Sequence, residues 1–338
     1  MTLETPLTPT KRGDSESRLF WRLLATFGLG FSLPVLACYG LVIVSALALR
    51  VLALGSTAAV TPGESGIGPA VAVIPVKGII TSGEGGPFAN TGVAFSESII
   101  ADIEKANEDD DVKAILLDVD SPGGGVVASD EIYHALSQVE KPVVVVIGDL
   151  GASGAYYISM ASDWIVANPN SLVGSIGVIS EFPNAEGLLE KVGVEFVVIT
   201  SGPRKDVGSP YRDMTEAEEA YWQTIVDETY ESFVQIVAGG RGMTVKDVAP
   251  LADGGVYTGR QALDLKLVDA LGYKDDAIAK AAELGGITGA PRVIEYHKQP
   301  TLFELLTQAA QGRSLLPSAA ELANLVGRPS LAARWVGP

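Results

Sequence analysis

The fold is decided by residues 114–157, which read AILLDVDSPGGGVVASDEIYHALSQVEKPVVVVIGDLGASGAYY. Two short apolar runs, AILLDV (114–119) and VVVVI (143–147), are each followed by a glycine-rich turn and then by apolar residues at helical spacing. Alternating buried strands and amphipathic helices are typical of parallel strands joined by right-handed crossovers. The stretch therefore predicts an α/β fold with a mostly parallel sheet.

The same alternation extends to both sides of this stretch. The runs VAVIPV (71–76), WIVA (164–167) and FVVIT (196–200) have the composition of further buried strands, and SESIIADIEKANED (96–109) has that of a helix. A long helix is predicted over 215–239, because Thr215 and Glu218 have the spacing of a capping box.

An uninterrupted apolar segment precedes this part of the chain. Residues 23–49 contain no charge and, at about 1.5 Å per residue, are long enough to cross a hydrocarbon layer roughly 30 Å thick. We expect an uncleaved transmembrane helix; a cleaved signal peptide is the competing interpretation. The N-terminus should be cytoplasmic and the rest extracytoplasmic, because the basic residues gather before the segment: Lys11, Arg12, Arg18 and Arg22 precede it, and Arg50 follows it.

These patterns divide the chain into five parts. A cytoplasmic segment (1–22) and the membrane helix (23–49) are followed by a linker (50–69) rich in small residues. The body (70–299) carries the α/β pattern, and a tail (300–338) has amphipathic helical character.

Composition excludes several classes of function. Lys and Arg number 24 against 41 Asp and Glu, so the net charge of −17 disfavours nucleic-acid binding. Cys38 alone forms neither an internal disulfide nor a multi-cysteine zinc site. No Gly-Lys pair occurs, which removes the usual phosphate-binding loop of ATPases. We expect neither a cofactor nor a metal.

Three glycine-rich turns are the candidate functional region: DSPGGG (120–125), GDLGASGAYY (148–157) and NPNSLVGSIGV (168–178). In open α/β sheets, ligands bind where strand ends face helix starts, because free N–H groups converge there. Ser153 lies where such a helix should begin. An ordinary N-cap serine would occupy the same position.

A catalytic serine requires a proton acceptor, and the histidines are poorly placed for that role. His134 lies in an amphipathic stretch and His297 lies near the tail. A lysine kept neutral by burial is the remaining candidate base. Lys205, which follows the predicted strand 196–200, suits this role, whereas Arg204 beside it stays charged.

Four linked motifs resemble the S49 group of Ser-Lys peptidases, the signal peptide peptidases A. They are DSPGG, GASGAYYISMASDWIVANPNSLVGSIGV, SGPRKDVGSPYRDMT and YTGRQALDLKLVDALGY, within about residues 70–285. The resemblance implies a crotonase-like fold, shared with Clp-type peptidases, and one catalytic unit per chain. It implies that Ser153 is the nucleophile, that Lys205 is the base and that Ser175 orients the lysine.

The same fold suggests an oxyanion hole. Gly123, which has no Cβ to keep backbone from substrate, and Gly154, which follows the nucleophile, are the expected N–H donors.

The resemblance also implies partners and location. Substrates would be peptides, namely remnant signal peptides, with general extracytoplasmic quality control as the alternative. The chain would be a single-pass protein of the inner (plasma) membrane, held by residues 23–49. It would form a homo-oligomeric ring or dome, for which eight subunits is one arrangement, with Ser153 and Lys205 from neighbouring chains in one site.

Three other interpretations remain open. A Ser-His-Asp α/β-hydrolase would use Ser153, Asp264 or Asp269, and His297, although the nucleophile motif of that fold places glycine where this chain has Ala155. An acyl-CoA lyase or thioesterase would use the same glycine turns, but coenzyme A is cytoplasmic. In a membrane-anchored scaffold, Ser153 would only cap a helix.

Overall fold

The structure, a computed structural model, describes residues 68–85, 92–296 and 331–334. The predicted membrane helix 23–49, the segments beside it and most of the predicted tail lie outside these residues. Within the described ranges, no helix has both the length and the apolarity that a membrane span requires.

The elements follow the predicted alternation in chain order. The first are β1 (Ala70–Lys77), β2 (Ile79–Thr81), β3 (Val93–Phe95), α1 (Ser96–Glu108), β4 (Val112–Ser121), β5 (Gly123–Gly125) and α2 (Val126–Ser137). Next come β6 (Val143–Ala152), α3 (Gly154–Ser159), β7 (Trp164–Ala167), β8 (Leu172–Gly174), β9 (Ile179–Ser180) and α4 (Glu186–Val192). The last are α5 (Glu216–Arg241), α6 (Val245–Val248), β10 (Val256–Thr258), α7 (Gly259–Asp264), β11 (Ala270–Leu271), α8 (Lys274–Leu284), β12 (Arg292–Glu295) and β13 (Leu331–Arg334).

The larger sheet has the order β10-β8-β6-β4-β1-β12, and β7 pairs with both β6 and β11. Its strand pairs are parallel except for β10 with β8. The prediction of an α/β fold with a mostly parallel sheet is therefore confirmed. All the parallel strands end at one edge of the sheet, which is where the glycine turns lie.

Both faces of this sheet are covered, which explains the uninterrupted apolar runs. Because side chains alternate along a strand, Ile115 and Leu117 of β4 enter one core cluster, whereas Ala114 and Leu116 enter another. The first cluster includes residues of α1, α2, α3 and α5. The second packs against α8 through small residues such as Ala281.

A smaller sheet has the order β3-β2-β5-β13-β9. Its strand β5 consists of the three glycines of DSPGGG, and Gly124 lies so close to β2 that a Cβ there would be 1.8 Å from the carbonyl oxygen of Ile80. Glycine is therefore required at position 124 by the close approach of the two backbones. Strand β13 comes from the end of the chain, where the sequence predicted only an amphipathic tail.

The long helix is confirmed and one predicted strand is wrong. Thr215 is the N-cap of α5, and the reciprocal hydrogen bonds of a capping box join it to Glu218. Residues 196–200, predicted as a buried strand, have no strand assignment and are exposed. Apolar side chains there indicated burial, but Val197 is 81% exposed and Ile199 is 92% exposed. Phe196 is covered on one face only, where its ring stacks on that of Tyr211 at 3.9 Å between centroids.

Candidate active site

The three glycine turns converge at the carboxyl edge of the larger sheet, as predicted. In the register of the sheet, Ser121 of β4 is opposite Gly151 of β6, and Ala152 of β6 is opposite Gly174 of β8. The Ser153 N–H donates to the Gly174 carbonyl at 2.7 Å. Three strand ends thus bring residues from distant parts of the chain side by side.

Ser153 has an unusual backbone conformation. Its φ of 55° and ψ of −121° lie outside the regions that residues other than glycine normally occupy. Such strain costs on the order of 1 to 3 kcal/mol, persists only where the surroundings impose it, and is concentrated at functional sites. The turn between β6 and α3 therefore holds the backbone of Ser153 in a conformation that an ordinary helix N-terminus does not require.

The N-cap interpretation of Ser153 can be tested directly. Ser153 does occupy the N-cap position of α3, but its side chain makes no capping hydrogen bond. The residue is only 1% exposed. A buried serine at a strained turn, with its hydroxyl not used for capping, is poorly explained by local helix stability.

Two tyrosines hold α3, the short helix that starts after Ser153. The Tyr156 hydroxyl donates to the Leu267 carbonyl at 2.7 Å, and the Tyr157 hydroxyl donates to Asp130 at 2.7 Å. Burial raises the pKa of both phenols, so both remain protonated donors in the working pH range. These contacts fix α3 against α2 and against the segment that precedes β11.

Ser175 lies next to Ser153 and is also strained. Its φ is 48°, and its N–H donates to the Gly255 carbonyl at 2.7 Å. Ser175 is buried and follows β8 directly, as Ser153 follows β6. Apart from glycines, the described residues with positive φ are Ser153, Ser175 and Lys266, so two of these three are predicted site residues.

The two predicted oxyanion donors differ in their surroundings. Gly154 is the first residue of α3, and the N–H groups of a first helical turn have no acceptor within the helix. Gly123 has a φ of 87°, which glycine tolerates, and its N–H donates to the Ser121 hydroxyl at 3.1 Å. Substrate oxygen would have to compete with that hydroxyl for the Gly123 donor.

Strand β13 lies beside these glycines. It runs antiparallel to β5, with Arg334 opposite Gly123 and Ala332 opposite Gly125, and antiparallel to β9, with Leu331 opposite Ser180. The gap between β5 and β9 therefore accepts an extended chain that pairs with backbone on both sides. This strand was missed from the sequence, because LAAR at 331–334 has no distinctive periodicity.

A cavity of about 480 Å³ opens beside Ser175. Its lining includes Gly177 and Ile179 and, from α5, Gln223, Asp227 and Tyr230. The cavity is therefore continuous with the strand-end region and carries acidic as well as apolar groups.

Lys205 forms no hydrogen bond with Ser153 within one chain. It is exposed, it lies in the turns at 201–208, and its side chain makes neither a hydrogen bond nor an ion pair within the described ranges. The expected burial of Lys205 after a buried strand is wrong for the single chain, because 196–200 is itself exposed.

Neither aspartate of the Ser-His-Asp interpretation hydrogen-bonds Ser153, and the histidine of that interpretation, His297, lies outside the described residues. The other histidine, His134, is exposed on α2. Asp269 is engaged elsewhere, since it pairs bidentately with Arg241 and accepts the Ile165 N–H at 2.8 Å. Asp264 is exposed on α7.

Comparison with family models agrees with this geometry. A model of peptidase family S49 matches residues 135–288, and a model of Clp protease matches residues 89–173. Both ranges include the buried Ser153 at its strand-to-helix turn. The fold and the site thus define a serine peptidase of the α/β class.

Similarity to individual relatives establishes the family of this chain. The chain is 39% identical over 238 residues to a protein of Enterococcus faecium provisionally named signal peptide peptidase SppA, covering 67% of this chain and 69% of the relative. It is 46% identical over 185 residues to a provisionally named protease of Synechocystis, covering 54% and 67%, and 41% identical over 201 residues to one of Methanocaldococcus jannaschii, covering 59% and 63%. The chain belongs to peptidase family S49, and it spans about two thirds of the length of these relatives.

Proposed function

We propose that this chain is a membrane-anchored serine endopeptidase that uses a Ser-Lys pair to degrade apolar peptides. The observation that carries the proposal is Ser153, a buried serine held at positive φ between β6 and α3, with its hydroxyl not used for capping. Strain of this kind is retained where it serves chemistry. The S49 match supports peptide bonds as the target.

The proposed reaction has two steps. Neutral Lys205 accepts the proton of the Ser153 Oγ as that oxygen attacks a peptide carbonyl, and the resulting lysine ammonium donates the proton to the leaving amine. The same amine then deprotonates a water molecule, which attacks the ester; the resulting ammonium donates the proton to the Ser153 Oγ as the acid is released. Ser175, beside Ser153, would accept or donate a hydrogen bond that orients the lysine.

Charge that develops on the substrate carbonyl oxygen needs preorganised donors. The Gly154 N–H at the start of α3 is well suited, because the positive end of the helix dipole adds to the hydrogen bond. Gly123 would supply the second N–H once the Ser121 hydroxyl rotates away.

The position of β13 supports an extended peptide as substrate. A peptide in the gap between β5 and β9 would gain backbone hydrogen bonds on both sides, the binding mode called β-strand addition. Backbone pairing tolerates many sequences, which suits degradation of signal-peptide remnants. General extracytoplasmic quality control would use the same groove, and the name of the Enterococcus faecium relative favours signal peptides.

Exposed apolar surface supports a homo-oligomer with shared sites. Val197 is 81% exposed and Ile199 is 92% exposed, and this segment leads directly to Lys205. A contiguous exposed apolar segment marks an interaction surface. A neighbouring chain that covers residues 194–199 would bury them and would receive Lys205 near its own Ser153, in a closed ring or dome.

Complementation tests the shared site. Ser153→Ala chains keep Lys205, and Lys205→Ala chains keep Ser153. Co-assembled in equal amounts, they should regain about one quarter of the wild-type cleavage of an apolar signal-peptide fragment, because random mixing forms one intact site in about four interfaces. Differential tags verify mixing. Mixed assemblies that stay inactive would show that both residues act within one chain.

The proposed location is the inner membrane, with the body extracytoplasmic and residues 23–49 as the anchor. Protease added to spheroplasts should digest the chain beyond residue 55, because the basic residues at 11–22 keep the N-terminus inside. Immunoblotting of the N-terminal and C-terminal ends measures the result. A body protected until lysis would reverse the orientation.

A further inference from the structure

Lys205 lies between two residues whose side chains are held by other parts of the chain: Arg204 by the long helix α5 and Asp206 by Arg212. On one side, the Arg204 guanidinium lies 4.3 Å from the centre of the Tyr221 ring. On the other, the Asp206 carboxylate accepts a hydrogen bond from Arg212 Nε at 2.9 Å. The lysine side chain itself is not engaged by any described residue. A free amine is therefore presented by a backbone that is held on both sides.

Arg212 is the centre of this attachment. Besides Asp206, it binds both carboxylate oxygens of Glu218, through Nη1 at 2.8 Å and Nη2 at 2.6 Å. A further contact joins Nη1 to the Asp213 carbonyl at 2.9 Å. The guanidinium is a rigid planar fork, so simultaneous pairing with two carboxylates fixes their relative positions in a way that a lysine could not.

Glu218 connects the attachment to the rest of the molecule. It caps α5 by accepting from the Thr215 N–H at 2.9 Å, and Arg212 lowers its pKa to about 2, so it stays ionised across the working range. The other half of α5 is buried in the core through Phe233 and Val237. Helix α5, anchored in the core, and the ion pairs of Glu218 and Asp206 with Arg212 thus connect the core to the backbone beside Lys205.

We propose that Arg212 is a positioning residue for the base, which through Asp206 and Glu218 holds Lys205 at the distance and angle that a neighbouring chain's Ser153 requires. This inference rests on the proposed role of Lys205. Arg212 also occupies the Asp206 carboxylate, which would otherwise be available to pair with the adjacent ammonium and oppose its deprotonation. Misplacement of a reacting group by about 1 Å can cost on the order of 10²-fold in rate.

The first test is the kinetics of Arg212→Gln. Peptide cleavage should fall 10- to 100-fold in kcat with KM nearly unchanged, because the substrate groove between β5 and β9 does not include Arg212. Arg212→Lys should lose less, since one carboxylate can still be paired. Arg292→Gln is the matched control, because it breaks an ion pair with Asp111 far from α5 in sequence and should leave kcat unaltered.

The second test separates positioning from folding. Arg212→Gln chains retain Ser153, and Ser153→Ala chains retain both Lys205 and Arg212. Equal co-assembly should give about one quarter of wild-type activity, well above that of Arg212→Gln alone, because the intact chain supplies a correctly held lysine. Co-assembly of Arg212→Gln with Lys205→Ala should give no such gain.

The outcomes distinguish this inference from the proposed function. If Ser153→Ala with Lys205→Ala regains activity but Ser153→Ala with Arg212→Gln does not, Arg212 does not act through its own lysine and the inference is overturned. If neither mixture regains activity, the shared Ser-Lys site fails and the positioning role falls with it. An unchanged kcat in Arg212→Gln would also overturn it.

Discussion

Replacement of Ser153 by alanine should abolish peptide cleavage, with a loss on the order of 10⁶-fold in kcat, the scale on which serine peptidases lose activity when the nucleophile is removed. Covalent labelling by a serine-reactive phosphonate should disappear in parallel. The strained turn makes the stability result informative as well. Alanine keeps a Cβ at φ 55°, so the free energy of unfolding should change by less than about 1 kcal/mol.

Ser153→Gly is the matched variant. Glycine accepts positive φ without strain, although it gives the unfolded chain more freedom, so the net gain should be about 1 to 2 kcal/mol in the free energy of unfolding. Denaturant unfolding at equal protomer concentration measures both variants. If Ser153→Gly is inactive but has a higher free energy of unfolding than the wild type, the backbone strain at this position is retained for activity and not for stability. Labelling that persists at full stoichiometry in Ser153→Ala would refute the nucleophile assignment.

Replacement of Lys205 by arginine should reduce kcat on the order of 10²- to 10⁴-fold, the range that general-base catalysis contributes. Arginine keeps the positive charge and much of the length, but a guanidinium cannot accept the serine proton. Wild-type activity should rise with pH, because only the neutral amine can accept the serine proton. The residual activity of Lys205→Arg should lack that rise.

The control is Lys246→Arg, a change at an exposed lysine on α6. It makes the same replacement of an ammonium by a guanidinium outside the proposed site, and it should leave the pH profile unaltered. A Lys205→Arg enzyme with a kcat near the wild-type value, or one that keeps the wild-type alkaline rise, would assign the base to another group.

Much of the fold is encoded in local patterns that the sequence displays. The runs at 114–119 and 143–147 predict buried strands because burial on both faces removes polar residues, and the structure has β4 and β6 there. The Thr215 and Glu218 spacing predicts the start of α5 because a capping box depends on residues three apart. The position of Ser153 at a helix start follows from the same local reasoning.

The sequence alone was misleading where an apolar run lacks a covering partner. FVVIT at 196–200 has the composition of a buried strand, yet it is exposed within the described part of the chain. The composition of a segment indicates that its side chains should be buried, but it does not show which part of the protein covers them. If a neighbouring chain covers this segment, that contact is intermolecular and has no signature in the periodicity of one chain.

By itself, the sequence determined the alternation of strands and helices, the glycine turns at the strand ends, the absence of a well-placed histidine and the motifs that resemble the S49 peptidases. Tertiary structure alone decided the strained backbone of Ser153 and Ser175, the entry of β13 between β5 and β9, and the Arg212 network beside Lys205. Local patterns report spacings of two to four residues. The contacts that shape the site join distant positions, such as Tyr156 with Leu267, whose meeting depends on how the whole sheet is assembled.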